Sequence, residues 1–344
     1  FTDNPRRRTL GYHSIYERYQ KRISRTDSKK DTIHFHYHPH SFQNKAHHCA
    51  THWWINSSSL YQILSRRIID HMWFPGANRP GFHVTRPDSH WFLEQFVPFD
   101  FASQSITESY EDEQQKDLNG GRFGDWRRAP ITWCPYHPNH DDYQSEGNCR
   151  RWIARCLNVG TRLRLLTESD VRLAFEEATK GKPVVLAFAN HDFRDLRIDV
   201  DYVRELIFKV SQDYTNVPFL FSDPSNAMRD ALKLPNVPSC DLKIKFESTL
   251  ERTIMRVKTQ TPTFGPQPYL AIKKNSGEYL HDNFDIQIPH YEWSYTFDEQ
   301  TLNIKEIDSI GIAANNSIGV TSVLRWDSSS DSIFNKECNG ITKS

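Results

Sequence analysis

TESDVRLAFEEATKGKPVVLAFAN, residues 167 to 190, decides the fold class, because an amphipathic helix leads directly into an apolar strand. Thr167 and Asp170 form a capping-box pattern that predicts a helix over 169–180, and Gly181 closes it. The run PVVLAFAN is almost continuously apolar, which is typical of a parallel strand buried on both faces. This unit of helix and strand indicates an α/β fold.

The rest of the chain divides by its hydrophobic periodicity. Period-3.6 patterns and caps predict helices over 11–23, 59–73, 199–213 and 224–233, and VPFLFS (217–222) predicts a further apolar strand. Alternating helices and apolar strands favour an α/β barrel or an open parallel sheet up to about residue 236. Residues 238–328 alternate at period two between turn signals, which predicts a separate antiparallel β module, and 329–344 is a polar tail.

Composition narrows the possible functions. Lysine plus arginine and aspartate plus glutamate both total 43, so charge gives no reason to expect a nucleic acid or an anionic membrane surface as partner. The chain has no run of eighteen apolar residues, and we expect no membrane span. The six cysteines include no CxxC pair, which argues against a zinc knuckle. Seven of the nine tryptophans lie between Trp53 and Trp152, and aromatic faces suit sugar rings.

Four histidines alternate in IHFHYHPHSF, residues 33–42: His34, His36, His38 and His40. On a β-strand this spacing places imidazoles on one face. Zinc binds neutral imidazole nitrogen, and a catalytic zinc site keeps one position for water. Pro39 ends regular strand pairing, so His40 can turn back toward a metal held by a strand histidine.

Two further positions carry candidate chemistry. His191 follows the apolar strand in AFANHDF, and the carboxyl ends of parallel strands face the active site in α/β folds. Arg79 lies in NRPGF, after the second predicted helix. By itself Arg79 is a weak signal, because a lone loop arginine is usually solvated.

Taken in order, HFHYHPH, RPGF with FDFAS, WCPYHP with DDYQSEG, and VVLAFANHD resemble the polysaccharide deacetylase (NodB-homology) domain over roughly residues 1–235. The resemblance implies a distorted (β/α) barrel of NodB type over residues 1–237 that lacks its first strand. It does not cover the smaller antiparallel β module, which the period-two pattern predicts. It also implies hydrolysis of sugar N- or O-acetyl groups with a divalent metal, usually zinc.

The family's HxxxH pair of metal ligands fits this chain in two ways, as His34 with His38 or as His36 with His40. Ile33 stands three residues before His36, as the family's isoleucine does before its first histidine, which favours His36 and His40.

The resemblance also assigns roles outside the histidine run. Arg79 matches the arginine that orients the family's catalytic aspartate, and His191 matches its late catalytic histidine. The expected contacts with the sugar are Trp126, Tyr136 and Asp192.

One family feature is missing from these residues. No adjacent aspartate pair precedes the histidines, so we expect the pair either upstream of Phe1 or lost from a degenerate relative. The leading hypothesis is a metal-dependent deacetylase of a glycan or sugar precursor, with N-acetyl groups favoured over O-acetyl groups. The alternatives are a degenerate barrel that binds glycan or serves assembly, and a metal-dependent hydrolase of a non-sugar amide. The β module is the candidate surface for homo-oligomerisation.

Overall fold

The computed structural model describes residues 12–28, 31–39, 50, 58–106, 116, 118–161, 163–191 and 195–338. The chain forms two compact units. Unit 1 contains residues 1–52, 77–90 and 99–234, and unit 2 contains 53–76, 91–98 and 235–344. Each unit therefore takes its residues from several stretches of the chain.

Unit 1 is built on a parallel sheet whose strands are neighbours in chain order. The strands β1 (Ala77–Asn78), β2 (Phe99–Ser103), β3 (Trp152–Asn158) and β4 (Ala187–Ala189) pair in that order, and Phe35 adds a parallel bridge to Asn78. The sheet curls into a half-barrel. The α/β prediction is confirmed at this level, whereas a complete NodB-type barrel stays a prediction.

The five predicted helices begin and end close to their predicted limits, and a sixth helix, over 87–96, was not predicted. They are α1 (Tyr12–Thr26), α2 (Ser58–His71), α3 (Pro87–Phe96), α4 (Glu168–Thr179), α5 (Leu196–Ser211) and α6 (Pro224–Ala231). Thr167 and Asp170 form the predicted capping box, and Gly181 has a φ of 75°. Asp223 caps α6 by accepting from the backbone N–H groups of Ser225 and Asn226. Among these described helices, none is long and apolar enough to cross a membrane.

Two strand predictions in unit 1 were wrong in part. VPFLFS forms no strand, and Leu220 is 85% exposed. Phe219 packs instead against Phe175 of α4 and Phe208 of α5, with ring centroids 6.0 and 5.7 Å away, so side-chain packing replaces strand pairing. Of PVVLAFAN only β4 is strand, and Phe188 is 40% exposed because β4 is the edge of the described sheet.

Unit 2 contains two antiparallel sheets, as the period-two pattern predicted. One pairs in the order β5-β6-β10-β9 and the other in the order β13-β12-β11-β7-β8. Their bounds are β5 (Lys243–Ser248), β6 (Thr253–Lys258), β7 (Tyr269–Lys274), β8 (Tyr279–Asp282), β9 (Asp285–Ile288), β10 (Glu292–Phe297), β11 (Ile307–Asn315), β12 (Thr321–Asp327) and β13 (Ser332–Cys338). Buried apolar side chains from both sheets form one core. β13 lies in the stretch expected to be a polar tail and pairs with β12.

Helix α2 also belongs to unit 2, although it precedes residue 237. The Tyr269 hydroxyl donates to the Tyr61 carbonyl at 3.2 Å. At Gly311 of β11, a Cβ atom would come within 2.5 Å of Ile68, so glycine lets the helix lie close to the sheet. The apolar stripe of α2 thus packs on the five-stranded sheet, and the contacts do not divide the chain at a single point near residue 237.

Candidate functional site

The candidate site lies at the carboxyl-end edge of the parallel sheet in unit 1. Phe35 and Tyr37 are buried with their rings stacked 6.0 Å apart, whereas the alternate residue His36 keeps exposed surface. His36 and His38 turn toward each other, and their Nε2 atoms are 2.9 Å apart. Residues 31–39 form no strand beyond the bridge at Phe35, but the alternation still separates buried Phe35 and Tyr37 from the imidazoles of His36 and His38.

The protonation of His36 follows from its neighbours. Its Nδ1 donates to the backbone carbonyl of Arg79 at 2.6 Å. The surrounding protein atoms, and after them the charge of Arg79, hold the pKa of His36 well below 6.5 although part of the ring is exposed. A neutral ring that donates through Nδ1 has its lone pair on Nε2, which is the tautomer that binds a metal.

His38 is held in place by the loop that follows β1. Gly81 donates its N–H to the Tyr37 carbonyl at 2.9 Å, and the Phe82 ring meets the His38 ring edge to face at 5.2 Å. A Cβ atom at Gly81 would lie 2.5 Å from the His38 ring. Only glycine lets the backbone approach this imidazole so closely.

His34 has different surroundings from the other two. Its Nε2 lies 2.8 Å from the Thr32 hydroxyl, and its Nδ1 has no hydrogen-bond partner among the described residues. Burial lowers the pKa of His34 to about 4, against the opposing effect of Asp223. The structure brings His36 and His38 together, and because His40 lies outside the described residues, the pairing of His36 with His40 stays a prediction.

Arg79 connects the histidines to the sheet. Its backbone N–H donates to the Phe35 carbonyl, and its guanidinium Nη1 lies 3.2 Å from Nε2 of His83. Burial lowers the pKa of Arg79, and burial first, with the charge of Arg79 after it, holds the pKa of His83 well below 6.5. Within the described residues, no carboxylate forms an ion pair with Arg79.

The sequence reasoning missed His83. The only signal was a histidine four residues after Arg79, and nothing in RPGFH predicts that its ring turns back to the guanidinium. The turn depends on backbone conformations that the sequence pattern does not show, because Phe82 and His83 both have positive φ.

His191 lies at the end of β4 with its side chain exposed. Burial holds the pKa of His83 below 6.5, followed by Arg79 and Arg164, and His191 adds a smaller effect in the same direction. The loop is fixed by Asn190, whose Oδ1 accepts from the His191 N–H at 2.5 Å and whose Nδ2 donates to buried Asp199 at 2.6 Å. These two contacts of Asn190 hold the backbone at His191, whose side chain is exposed.

Of the remaining predicted site residues, two are buried and two lie outside the described residues. Trp126 is fully buried and donates Nε1–H to the His83 carbonyl at 2.7 Å. Tyr136 is buried and donates to the Tyr143 carbonyl, and burial raises its pKa. Both are core residues, so their burial argues against the expected contact with sugar. His40 and Asp192 lie outside the described residues, and their roles stay predictions.

The two facing imidazoles fit a metal as far as the structure describes the site. In the 2.9 Å contact His38 donates its Nε2–H to His36, because Nδ1 of His36 already donates to the Arg79 carbonyl. With that proton released, the two rings would supply two nitrogen donors, and the Arg79 carbonyl orients one of them, as outer-shell partners of metal-binding histidines do. Over the described ranges, no group of three or more His, Cys, Asp or Glu side chains lies close enough together to hold a metal. A complete site needs a further donor, for which His40 is the predicted residue.

Comparison with known proteins adds no assignment. No family model, no curated protein and no solved structure matches this chain. The functional argument therefore depends on the residues themselves.

Proposed function

We propose that this protein is a metal-dependent hydrolase that removes acetyl groups, N-acetyl in preference to O-acetyl, from a glycan or sugar precursor. The observation that carries the proposal is the approach of His36 Nε2 to His38 Nε2 at 2.9 Å, with the outer nitrogen of His36 held by the Arg79 carbonyl. Zinc is the expected metal, because it accepts neutral imidazole nitrogen. The ordered motifs that resemble the polysaccharide deacetylase domain supply the substrate class.

In this proposal the metal, when bound, lowers the pKa of a water molecule and polarises the acetyl carbonyl. His36 and His38 would hold it through Nε2. Arg79 supplies a fixed positive charge that orients the carboxylate base predicted by the resemblance. His191 gives a proton to the leaving amine nitrogen, a role that its exposed ring at the sheet edge allows.

Acetate release tests the proposal. The zinc-loaded protein is offered N-acetylglucosamine oligomers and an O-acetylated glycan, and free acetate and free amine are measured with and without a chelator. We expect release of acetate and amine that the chelator abolishes. Absence of acetate from every acetylated glycan offered, with zinc bound, would contradict the proposal.

The variant His191→Ala sharpens this assay. Loss of a general acid reduces turnover by about 10² to 10⁴. Because the side chain is exposed, we expect the melting temperature to stay within about 2 °C of wild type. Normal turnover with a large loss of stability would make His191 structural.

A second function is favoured by one observation, the lack of a carboxylate partner for Arg79 among the residues that the structure describes. A barrel without the base would bind glycan and not cleave it. Binding of the same acetylated oligomers by calorimetry, without acetate release, would support this second function.

A further inference from the structure

The loop after β1 adopts an unusual backbone. Phe82 (φ 50°, ψ 25°) and His83 (φ 52°) both lie in the left-handed region, although neither is glycine. Such conformations are disfavoured for residues with a Cβ atom and persist only where the surroundings hold them. Two in succession therefore need an explanation in the neighbouring contacts.

Two residues hold the turn from the other side. Trp126 donates its indole N–H to the His83 carbonyl at 2.7 Å, and the Gly124 N–H donates to the Phe82 carbonyl at 3.1 Å. A Cβ atom at Gly124 would lie 1.9 Å from the His83 carbonyl oxygen, so no other residue fits there. Both carbonyls that the left-handed turn exposes are thus satisfied by buried donors.

The turn places the His83 ring between a carbonyl and a guanidinium. Nδ1 lies 3.2 Å from the Ala102 carbonyl and Nε2 lies 3.2 Å from Arg79 Nη1. Because a carbonyl only accepts, Nδ1 carries the proton and Nε2 accepts from Arg79. Burial, Arg79 and Arg164 keep the pKa of His83 well below 6.5, so the ring is a neutral acceptor.

We propose that His83 is a positioning residue that fixes the guanidinium of Arg79 at the carboxyl edge of the sheet. A neutral acceptor can orient a guanidinium without neutralising it, whereas a carboxylate in the same place would cancel its charge. The backbone carbonyl of Arg79 orients His36. His83 contacts the other end of Arg79, its guanidinium, so both ends of the arginine are held in place. What Arg79 does for turnover rests on the proposed function; the contact with His83 does not.

Two substitutions separate positioning from packing. His83→Leu fills a similar volume with the same backbone strain but removes both hydrogen bonds. His83→Gln keeps one donor for Ala102 and one acceptor for Arg79. The two variants therefore carry equal backbone cost and differ in the hydrogen bonds alone. His140→Leu, at an exposed histidine distant in the chain, is the control for loss of an imidazole.

Kinetics of acetate release by the zinc-loaded protein is the first readout. We expect His83→Leu to lower kcat by about 10²-fold, the size of a lost electrostatic contact, with KM unchanged. His83→Gln should recover kcat to within about tenfold of wild type, and His140→Leu should match wild type. Equal kcat in the Leu variant and wild type, or equal losses in the Leu and Gln variants, would overturn the proposal.

Nitrogen-15 spectra of histidine-labelled protein are the second readout and need no activity. The His83 signals, assigned by their loss in His83→Gln, should show a protonated Nδ1 and an unprotonated Nε2 at pH 7. In Arg79→Met the Nε2 signal should move downfield as its hydrogen bond is lost. An unmoved Nε2 signal would overturn the positioning role. If the wild-type protein releases no acetate but the Nε2 signal still moves in Arg79→Met, the proposed function is contradicted and the positioning role of His83 is not.

Discussion

Two arginines in unit 1, one fully buried and one partly buried, differ in their partners. Arg151, just before β3, lies 3.4 Å from the carboxylate of Asp100, and both side chains have no accessible surface. Arg79, just after β1, contacts the neutral ring of His83 and retains partial exposure. The Arg151 guanidinium is buried together with the carboxylate of Asp100. The Arg79 guanidinium lies at an edge of the sheet that solvent reaches.

The surroundings of the two arginines explain this difference. Asp100 also accepts from the Asn78 side chain at 3.0 Å, and Arg151 donates to the Nδ1 and carbonyl oxygen of His90. A fully buried ion pair supported by these hydrogen bonds is a structural element. A desolvated cation held by a neutral acceptor keeps its charge for another group, which is the arrangement expected of a functional site.

The largest expected effect is the loss of stability when the ion pair of Arg151 with Asp100 is broken. Asp100→Ala leaves Arg151 as an uncompensated buried charge, so we expect a loss of about 3 to 5 kcal/mol in the free energy of unfolding. Urea unfolding followed by circular dichroism measures it. Arg79→Met is the matched comparison and should cost about 1 kcal/mol, the size of one net hydrogen bond.

Equal stability losses in these two variants would remove the distinction between a structural and a functional arginine.

The next effect is a loss of zinc affinity at the sheet edge that carries Arg79 and the histidines. Gly81→Ala adds a Cβ atom 2.5 Å from the His38 ring, so the ring must move away from His36. Displacing a ligand in this way should weaken zinc binding by about 10 to 100-fold, the range found when outer-shell contacts are lost. Competition with a fluorescent chelator measures the affinity.

Gly181→Ala is the control for this substitution. Its added Cβ atom meets nothing within 4 Å, and its φ of 75° makes the cost one of stability alone. Unchanged zinc affinity in Gly81→Ala would show that the His38 ring is not held as described.

The smallest effect is the pH dependence of stability that His90, a neighbour of Arg151, contributes. Burial first, and Arg151 after it, lower the pKa of His90 to about 4. Unfolded His90 takes up a proton below about pH 6.5 and folded His90 only near pH 4, so stability is full above pH 6.5 and falls as pH decreases from 6.5 to 4. We expect about 1 to 2 kcal/mol from this residue, reduced by solvent screening.

The difference in unfolding free energy between pH 7 and pH 4.5 should therefore be smaller in His90→Gln than in wild type. An identical difference in both proteins would mean that His90 is not held neutral by the fold.

Local patterns predicted much of this fold. The capping residues Thr167 and Asp223 were followed by helices, because a cap acts within one turn of chain. The period-two stretches after residue 238 formed antiparallel strands for the same local reason.

The sequence patterns did not predict which elements pack against each other in the folded protein. An apolar stripe shows that α2 buries one face, but nothing in its pattern indicates that the face lies on a sheet formed after residue 237. VPFLFS has the composition of a strand, yet Phe219 packs between two helices. His83 depends on a left-handed turn that Trp126 and Gly124 hold from about forty residues further along the chain.

Zinc titration of single histidine variants tests the central claim most directly. By calorimetry with ZnCl₂, the wild-type protein should bind one zinc, His36→Ala and His38→Ala should each lose stoichiometric binding, and His34→Ala should retain it. His40→Ala tests the predicted further donor in the same series and should also weaken binding. Loss of zinc in His34→Ala with retention in His36→Ala, or no zinc bound by the wild-type protein, would contradict the account.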